Sequence, residues 1–404
     1  PVTRMFSGLE RCFCLQISAT PSTIKINNQG KNDFFLRQRP FYLFFSGMLS
    51  GSSRIANTVA FHTRRMISPT PGFETGTPLS FTKNNLYVNT TRDQYGYIMH
   101  SSDIEKIKTW FILSRPPFHT VGVLPFILGT FLAYRINSVF SLEIFALGVL
   151  GVILIMLATY HSGEYFDYQG DVISNRLHKN QFAGGSRILP DGKISPFVPF
   201  WTSIVTIILA GLIGIFLQFV LKTGPCTLLL GFLGAFSGFF YSTKPIRLVQ
   251  RGVGEIFIGF CYGWLPVASA YYIQTGAIHP VIHWMGIPIG LTIFNVIFLN
   301  EFPDYEADIA TGKKNLLYRI GKKNGVFLYI AFSLLASAAT LASPFWGIPF
   351  RIVYFYLPVL MISLWIVFMM FRNKHEDKNA LEKLCALNIV VNLGTTLAYI
   401  LAYI

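Results

Sequence analysis

The chain has 404 residues, of which 52% are hydrophobic and only 13% are charged, and its mean hydropathy is +0.48. Soluble domains carry roughly 25% charged residues, so this composition excludes an ordinary soluble protein and predicts an integral membrane protein. The formal net charge is +14, but the cations gather at the ends of apolar segments, which favours membrane orientation over nucleic-acid binding. The cysteines are scattered, so neither a zinc site nor a disulfide framework is indicated.

Residues 1–98 differ from the rest of the chain. They are rich in Ser, Thr, Asn, Arg and Gly, lack sustained hydrophobic periodicity, and hold eleven Lys or Arg against four acidic residues. Two interpretations remain open: a transit-like leader, which is Arg-rich, Ser-rich and poor in acids, or upstream sequence translated in frame, with Met99 as the start. We favour the second, and expect a poorly ordered, dispensable leader over 1–98 and a functional domain over 99–404.

From Met99 onwards the pattern becomes regular. A short amphipathic segment, 104–113, leads into Arg115-Pro116-Pro117. Nine apolar stretches follow, most of about 17–24 residues, which is enough to cross roughly 30 Å of hydrocarbon at 1.5 Å per residue. The sequence therefore predicts an all-α, polytopic membrane protein with nine transmembrane helices. The predicted stretches lie near 118–134, 139–160, 198–221, 224–240, 253–273, 282–299, 324–343, 351–371 and 384–404.

Lysine and arginine are distributed unequally between the two sides of this predicted bundle. Of the 22 that follow Met99, nineteen lie before the first stretch or after the even-numbered stretches, whereas only three, Arg135, Lys222 and Arg351, lie on the opposite side. Cytoplasmic loops carry the excess of positive residues. We therefore expect a multi-pass protein, in the bacterial inner (plasma) membrane, with its N-terminus and long polar loops in the cytoplasm.

Two matched acidic clusters follow the second and sixth stretches, on the predicted cytoplasmic side. They read GEYFDYQGD over 163–171 and NEFPDYEAD over 300–308. In each, two aspartates lie four residues apart, so that on a helix their carboxylates share one face. Oxygen ligands of this kind suit Mg²⁺, which keeps some waters and bridges to substrate phosphates. We predict that the four aspartates converge on one catalytic, Mg²⁺-binding site; solvated loop charges are the alternative. They are Asp167, Asp171, Asp304 and Asp308.

Small residues and cations accompany each cluster. Gly184-Gly185-Ser186-Arg187 follows the first cluster, and Gly312-Lys313-Lys314-Asn315 follows the second. The loop between them adds Tyr241-Ser242-Thr243-Lys244-Pro245 and Arg251-Gly252-Val253-Gly254-Glu255. Exposed backbone N–H groups beside a cation make an anion site. A metal, these cations and an apolar cavity are together what an isoprenyl diphosphate requires. The predicted substrate-binding cations are Arg187, Lys244, Arg251, Lys313 and Lys314.

These motifs resemble those of the UbiA superfamily of intramembrane prenyltransferases. The family mark is Asn-x-x-x-Asp-x-x-x-Asp in the first loop and Asp-x-x-x-Asp in the second, and the resemblance covers about residues 105–404. Several loops resemble the menaquinone branch, which prenylates 1,4-dihydroxy-2-naphthoate. The matching segments are Tyr165-Phe166-Asp167-Tyr168, Gly184-Gly185-Ser186-Arg187, Arg251-Gly252-Val253-Gly254-Glu255, Gly312-Lys313-Lys314-Asn315-Leu316-Leu317 and Arg319-Ile320-Gly321.

The resemblance implies helices around a central cavity open near the cytoplasmic face, where Mg²⁺ assists transfer of a polyprenyl group from its diphosphate to an aromatic acceptor. The partners it implies are those two substrates and membrane lipid, without nucleic acid. The family's first-motif asparagine aligns with Gly163, so the replacement oxygen is expected from Glu164 or from a neighbouring helix, whereas Asn300 keeps its place. The candidates for stabilising an allylic cation are Tyr165, Phe166 and Tyr241. Two residues separate Tyr241 from Lys244, whereas three usually do so in the family.

Other functions remain as alternatives. Within the superfamily, the acceptor can instead be 4-hydroxybenzoate, homogentisate or a glycerol phosphate lipid. An ion-coupled transporter would place acids at mid-span as a proton relay, whereas the middles of the nine stretches are almost free of charge. A soluble isoprenoid synthase also uses paired aspartate motifs, but nine apolar stretches exclude it.

Overall fold

The computed structural model describes residues 101–177, 182 and 184–404, and in this part of the chain the regular structure is all helical. The predicted leader over 1–98 lies outside the described residues. The helices, in chain order, are α1 Ser101–Leu113, α2 Thr120–Asn137, α3 Leu142–Phe166, α4 Tyr168–Leu177, α5 Phe197–Ile215, α6 Thr227–Ser242, α7 Gly254–Tyr262, α8 Trp264–Thr275, α9 Val281–Thr311, α10 Leu316–Ala342, α11 Ile352–Phe371 and α12 Lys378–Ala402.

The apolar helices correspond to the predicted stretches. Within the described residues, eight helical segments are long and apolar enough to cross a membrane, with α7 and α8 together forming one of them. The fourth predicted stretch corresponds to α6, which is apolar but has only 16 residues. The all-α, polytopic prediction is confirmed, and the count of nine spans is approximate.

The second acidic cluster lies within a helix that is longer than the apolar pattern predicts. The predicted stretch ends at residue 299, whereas α9 has 31 residues and continues to Thr311. Gly312 then ends the helix in the left-handed conformation, with φ of 66°, and its N–H donates to the carbonyl of Asp308. Both aspartates of this cluster are therefore one helical turn apart on a continuous helix.

The first acidic cluster spans a break between two helices. Asp167 follows the end of α3 and precedes the short helix α4. The backbone N–H of Asp171 nevertheless donates to the carbonyl of Asp167 at 3.0 Å. The helical i to i+4 relation is thus kept across the break, and both aspartate pairs have equivalent spacing.

A polar seam holds α9, α10 and α12 together inside the bundle. Asn295 donates to the carbonyl of Tyr329 at 3.1 Å and to Ser333 Oγ at 2.8 Å. Asn388 donates in turn to the carbonyl of Asn295 at 2.8 Å. Because lipid offers no hydrogen-bonding partners, such contacts between helices stabilise a membrane bundle and fix its register.

Two helices that carry site residues approach until their backbones touch. Gly263 joins α7 to α8, and a Cβ added there would lie 2.4 Å from the Cα of Gly290 on α9. Small residues at helix contacts allow this close approach in membrane proteins. The contact therefore sets the spacing between α9, which carries the second acidic cluster, and α7.

We expect Gly263→Ala to destabilise the protein by about 1–3 kcal/mol, because the methyl group forces the two backbones apart. The measurement is thermal unfolding of the purified protein in detergent. Gly211→Ala on α5 is the matched control, since a Cβ there meets nothing within 4 Å. Equal melting temperatures for the two variants would show that the contact is not tight.

Candidate active site

The structure brings the four predicted aspartates to one cavity of about 410 Å³. Two of them belong to the end of α3 and the start of α4, and two belong to the last turns of α9. The same cavity is lined by Lys313, Lys244 and Arg247. Four carboxylates and three cations thus surround one polar space where two well-separated parts of the chain meet.

Asp167 is held by two side chains, one from the last residue of α6 and one from the loop that follows it. Ser242 Oγ donates to Asp167 Oδ2 at 2.5 Å, and Arg247 Nη2 donates to Asp167 Oδ1 at 2.8 Å. Arg247 is one of the nineteen cations on the predicted cytoplasmic side and was not among the predicted site residues. The available signal was its position three residues after Lys244, in a loop that was already singled out.

Asp308 faces the loop between α9 and α10. Asn315 Nδ2 donates to its Oδ2 at 2.7 Å, and Lys313 Nζ lies 3.7 Å from its Oδ1. Burial alone would lower the pKa of Lys313, but attraction by Asp308 and Asp167 outweighs it and raises the pKa well above the ordinary value. Lys313 therefore remains an ammonium cation in the polar cavity.

Asp304 receives two hydrogen bonds from the part of the chain after the first cluster. Ser174 Oγ on α4 donates to its Oδ1, and the backbone N–H of Gly184 donates to its Oδ2 at 3.3 Å. These bonds join the second aspartate cluster on α9 to the segment that follows the first. Neither Ser174 nor this role of the Gly184 amide was predicted.

Asp171 lies against Gly185. A Cβ at that glycine would lie 2.3 Å from Asp171 Oδ2, and its φ is 68°, so both space and backbone conformation favour glycine there. Burial, together with repulsion from Glu164 and Asp167, raises the pKa of Asp171 well above its ordinary value. The carboxyl group of Asp171 therefore keeps its proton to higher pH than an ordinary aspartate, and this proton competes with a bound cation.

A second cavity adjoins the polar one, and a third adjoins the second. A middle cavity of about 210 Å³ shares the four aspartates and Lys313 with it, and is also lined by three predicted residues, Tyr241, Asn300 and Glu164. An apolar cavity of about 130 Å³ lies deeper among the helices and shares Tyr241 and Tyr262 with the middle cavity. The polar cavity is thus connected to the apolar one through the middle cavity, and Tyr241 and Tyr262 lie at the boundary between the middle and apolar cavities.

The remaining predicted cations lie elsewhere. Arg251 Nε donates to the carbonyl of Ile246 at 2.6 Å, and Lys314 is exposed. Neither lines the three cavities described here, nor does Arg187. The structure therefore brings Lys313 and Lys244 to the polar cavity and leaves the other three predicted cations outside its lining.

The donor set fits a hard divalent cation held in an open manner. Carboxylate oxygens are the ligands that Mg²⁺ prefers, and it usually keeps several waters and binds one or two carboxylates plus substrate phosphates. Among the described residues, no three His, Cys, Asp or Glu side chains form a ready metal cage. The four aspartates would therefore share a metal with water and an anionic ligand.

Comparison with known proteins identifies relatives of this chain. The profile of the UbiA prenyltransferase family matches residues 123–391. A 2-carboxy-1,4-naphthoquinone phytyltransferase of Synechocystis is 28% identical over 218 residues, which are 54% of this chain and 68% of that protein. A 1,4-dihydroxy-2-naphthoate octaprenyltransferase of Bacillus subtilis is 27% identical over 220 residues, again 54% of this chain and 68% of that protein.

A solved structure shares the fold. It is a UbiA homolog from Archaeoglobus fulgidus bound to GPP and Mg²⁺, with a TM-score of 0.52 and 16% sequence identity. The alignment covers 72% of this chain and 99% of that chain. At this identity the likeness concerns the arrangement of helices.

We expect divalent cations to bind more tightly as the pH rises. The raised pKa of Asp171 means that its carboxyl group keeps a proton to higher pH, and this proton competes with a cation. Affinity should therefore be weakest at low pH and grow as the pH passes through the raised pKa. The measurement is a Mn²⁺ titration followed by EPR from about pH 5 to about pH 8.

Two variants, one at the site and one control, test whether Asp171 causes this pH dependence. Asp171→Asn should weaken Mn²⁺ binding and flatten its pH dependence. Asp191→Asn, at an exposed carboxylate 3.0 Å from Lys193, should change neither. An unchanged wild-type affinity over the whole pH range would contradict the assignment of Asp171.

Proposed function

Because this chain belongs to the UbiA prenyltransferase family and is an integral membrane prenyltransferase, we propose that it transfers a polyprenyl group from its diphosphate to 1,4-dihydroxy-2-naphthoate. The observation that carries the proposal is the continuity of the cavities. Four aspartates and Lys313 surround a polar space, and Tyr241 and Tyr262 lead from the adjoining cavity into an apolar one. A molecule with an anionic head and a long hydrocarbon tail fits this arrangement, with its head in the polar cavity and its tail in the apolar one.

In the proposed reaction, the polar cavity binds the diphosphate. Asp167, Asp171, Asp304 and Asp308 would hold Mg²⁺, which when bound neutralises charge on the leaving diphosphate. Lys313 stays charged beside Asp308 and stabilises the same developing negative charge. Arg247, 2.8 Å from Asp167, keeps that carboxylate oriented and adds a further cation to the cavity wall.

The transfer itself would take place where the polar and apolar surroundings meet. The bond between the allylic C1 and the diphosphate oxygen breaks, and the bond electrons leave with the diphosphate. A ring carbon of the acceptor then attacks C1, and the ring loses a proton, or CO₂ when the naphthoate carboxyl group is lost. The faces of Tyr241 and Tyr262 can stabilise positive charge at C1, and the surrounding helices exclude water.

The middle cavity is the proposed place for the acceptor. It is lined by Phe118, Tyr160 and Tyr262, which offer aromatic surface to a bicyclic ring. Arg115 lines the same cavity, where it pairs with Glu164 at 2.6 Å, and it is the cation that we assign to the acceptor carboxylate. Arg251, the other candidate, lies outside this lining. The naphthoate and naphthoquinone names of the two relatives support the acceptor class.

We expect the site to face the cytoplasm, because nineteen cations lie on that side of the bundle against three on the other. Single cysteines in a cysteine-free background test this. Replacements at the exposed Lys193 and Glu376 should react with an impermeant maleimide only in inside-out vesicles, whereas Ser138 and Lys222 replacements should react in intact cells. Labelling of Glu376→Cys from outside would invert the proposed orientation.

The acceptor is tested by direct competition. Membranes that contain the protein receive one labelled prenyl diphosphate together with equal amounts of 1,4-dihydroxy-2-naphthoate and 4-hydroxybenzoate, and the products are identified by mass. We expect the naphthoate product to dominate, and Asp304→Asn to lower its formation at least about a hundredfold because a ligand of the metal and diphosphate site is neutralised.

Other outcomes of the same experiment are equally informative. Preferential prenylation of the benzoate would overturn the naphthoate assignment and leave prenyl transfer intact. Near-normal turnover by Asp304→Asn would instead contradict the metal and diphosphate site. Adding homogentisate and a glycerol phosphate lipid as further acceptors covers the remaining alternatives within the family.

A further inference from the structure

Each acidic cluster contains a glutamate three residues before its first aspartate. Glu164 precedes Asp167, and Glu301 precedes Asp304. On a helix, residues three and seven positions apart share a face, so each glutamate lies on the same face as its two aspartates, one turn deeper. Glu164 is 2% exposed and Glu301 is 7% exposed. A buried carboxylate is costly unless it is paired, so the partners of these two groups are informative.

Both oxygens of Glu164 are occupied by hydrogen-bond donors. Its Oε1 accepts from the backbone N–H of Ser186 at 2.7 Å and from Arg115 Nη2 at 2.6 Å, and its Oε2 accepts from Ser186 Oγ at 2.9 Å. Ser186 belongs to the turn whose Gly184 amide contacts Asp304. The side chain therefore holds the loop that follows its own cluster, and it is not the open metal ligand expected for the position next to Gly163.

Glu301 contacts the loop that follows the second cluster in the same way. Its Oε2 accepts from the backbone N–H of Leu317 at 3.4 Å. The neighbouring Glu255 on α7 accepts from the backbone N–H of Leu316 at 3.0 Å, and Asn315 Oδ1 accepts from that of Tyr318 at 2.8 Å. The first three N–H groups of α10, which no carbonyl within the helix can satisfy, thus all have side-chain acceptors.

These bonds fix the loop that carries Lys313. At one end of the loop, Gly312 closes α9 in the left-handed conformation. At the other end, the carboxyl groups of Glu301 and Glu255 hold the start of α10. Lys313 and Asn315 lie between these two anchors and both reach Asp308.

We propose that Glu164 and Glu301 are matched positioning residues, each of which anchors backbone that follows its own aspartate pair: Glu164 holds the turn 184–186, whose Gly184 amide contacts Asp304, and Glu301 holds the start of α10, beside the loop that carries Lys313. The inference rests on the proposed function for the ligand beside which these segments are held, a prenyl diphosphate. The anchoring itself needs no substrate. Glu164 acts through Ser186 and the Gly184 turn, and Glu301 acts through the start of α10.

Cleavage by trypsin, which cuts after lysine and arginine, reports on each loop separately. Arg187 lies in the first loop, and Lys313 and Lys314 lie in the second. In the purified full chain, Glu164→Ala should increase cleavage after Arg187 about tenfold and leave the second loop unchanged. Glu301→Ala should increase cleavage after Lys313 or Lys314 about tenfold and leave the first loop unchanged. Losing a helix cap or one buried hydrogen bond gives local opening of this size.

Matched controls lie on the same two helices. Glu306→Ala removes an exposed carboxylate of α9 that pairs with Lys322 at 3.2 Å, and Glu143→Ala removes an exposed one at the other end of α3. Neither should change cleavage of either loop. Glu301→Gln keeps a side-chain oxygen that can accept from the α10 backbone, so it should restore protection close to the wild-type level.

Kinetics distinguish positioning from general stability. Glu164→Ala and Glu301→Ala should raise KM for the prenyl diphosphate about tenfold. Glu301→Ala should leave KM for the acceptor within about twofold, whereas Glu164→Ala also removes the partner of Arg115, the cation assigned to the acceptor carboxylate, and should change both KM values. Glu301→Gln should restore the lower KM. Increased cleavage at both loops in either Ala variant, or KM values equal to the wild type, would overturn the proposal.

Additional variants and a comparison with wild-type activity separate the remaining outcomes of this test. If an Ala variant does not fold, Ser186→Ala and Glu255→Ala each remove one contact and must give the same selective cleavage on a smaller scale. If the wild type transfers no prenyl group, the proposed function fails while reciprocal cleavage still supports the anchoring. If the wild type is active but cleavage is not reciprocal, the anchoring fails alone.

Discussion

Mutual repulsion among four carboxylates at the edge of a membrane is the constraint that the rest of this structure satisfies. Carboxylates that line one cavity repel each other, and burial strengthens this repulsion because the protein interior screens charge less than water does. Three of the four therefore have donors of their own in the folded chain: Ser242 and Arg247 at Asp167, Ser174 and an amide at Asp304, and Lys313 and Asn315 at Asp308. The donors come from four separate segments, so the site exists only when the bundle is assembled.

The length of α9 determines where the second aspartate pair lies. A helix of 31 residues extends about 46 Å, well beyond the roughly 30 Å of hydrocarbon. Its last turns, with Asp304 and Asp308, can therefore reach the polar boundary while the rest of α9 packs inside the bundle. The polar seam at Asn295 and the backbone contact at Gly290 hold this helix in place. Packing deep in the membrane thus positions chemistry at its surface.

Much of the fold could be predicted from the sequence, because long apolar runs and paired aspartates are local patterns. The extension of α9 past residue 299 could not, since hydropathy falls where charges begin although the helical backbone continues. Arg247 was also missed as a site residue. It contacts Asp167 from 80 positions away in the chain, and no local pattern distinguishes one loop arginine from another. Likewise, the partners of Glu164 become visible only when the loop around Ser186 is folded over it.

The shared walls of the three cavities have a consequence for inhibition. Since the middle cavity shares lining residues with the polar cavity on one side and with the apolar cavity on the other, one amphiphilic molecule with an anionic head could occupy the places of both substrates. Each buried methylene of its tail would contribute about 0.8 kcal/mol. In a homologous series of anions with lipid tails of increasing length, inhibitory potency would increase until the apolar cavity is filled and would then level off. The tail length at which potency levels off would therefore measure the length of that cavity.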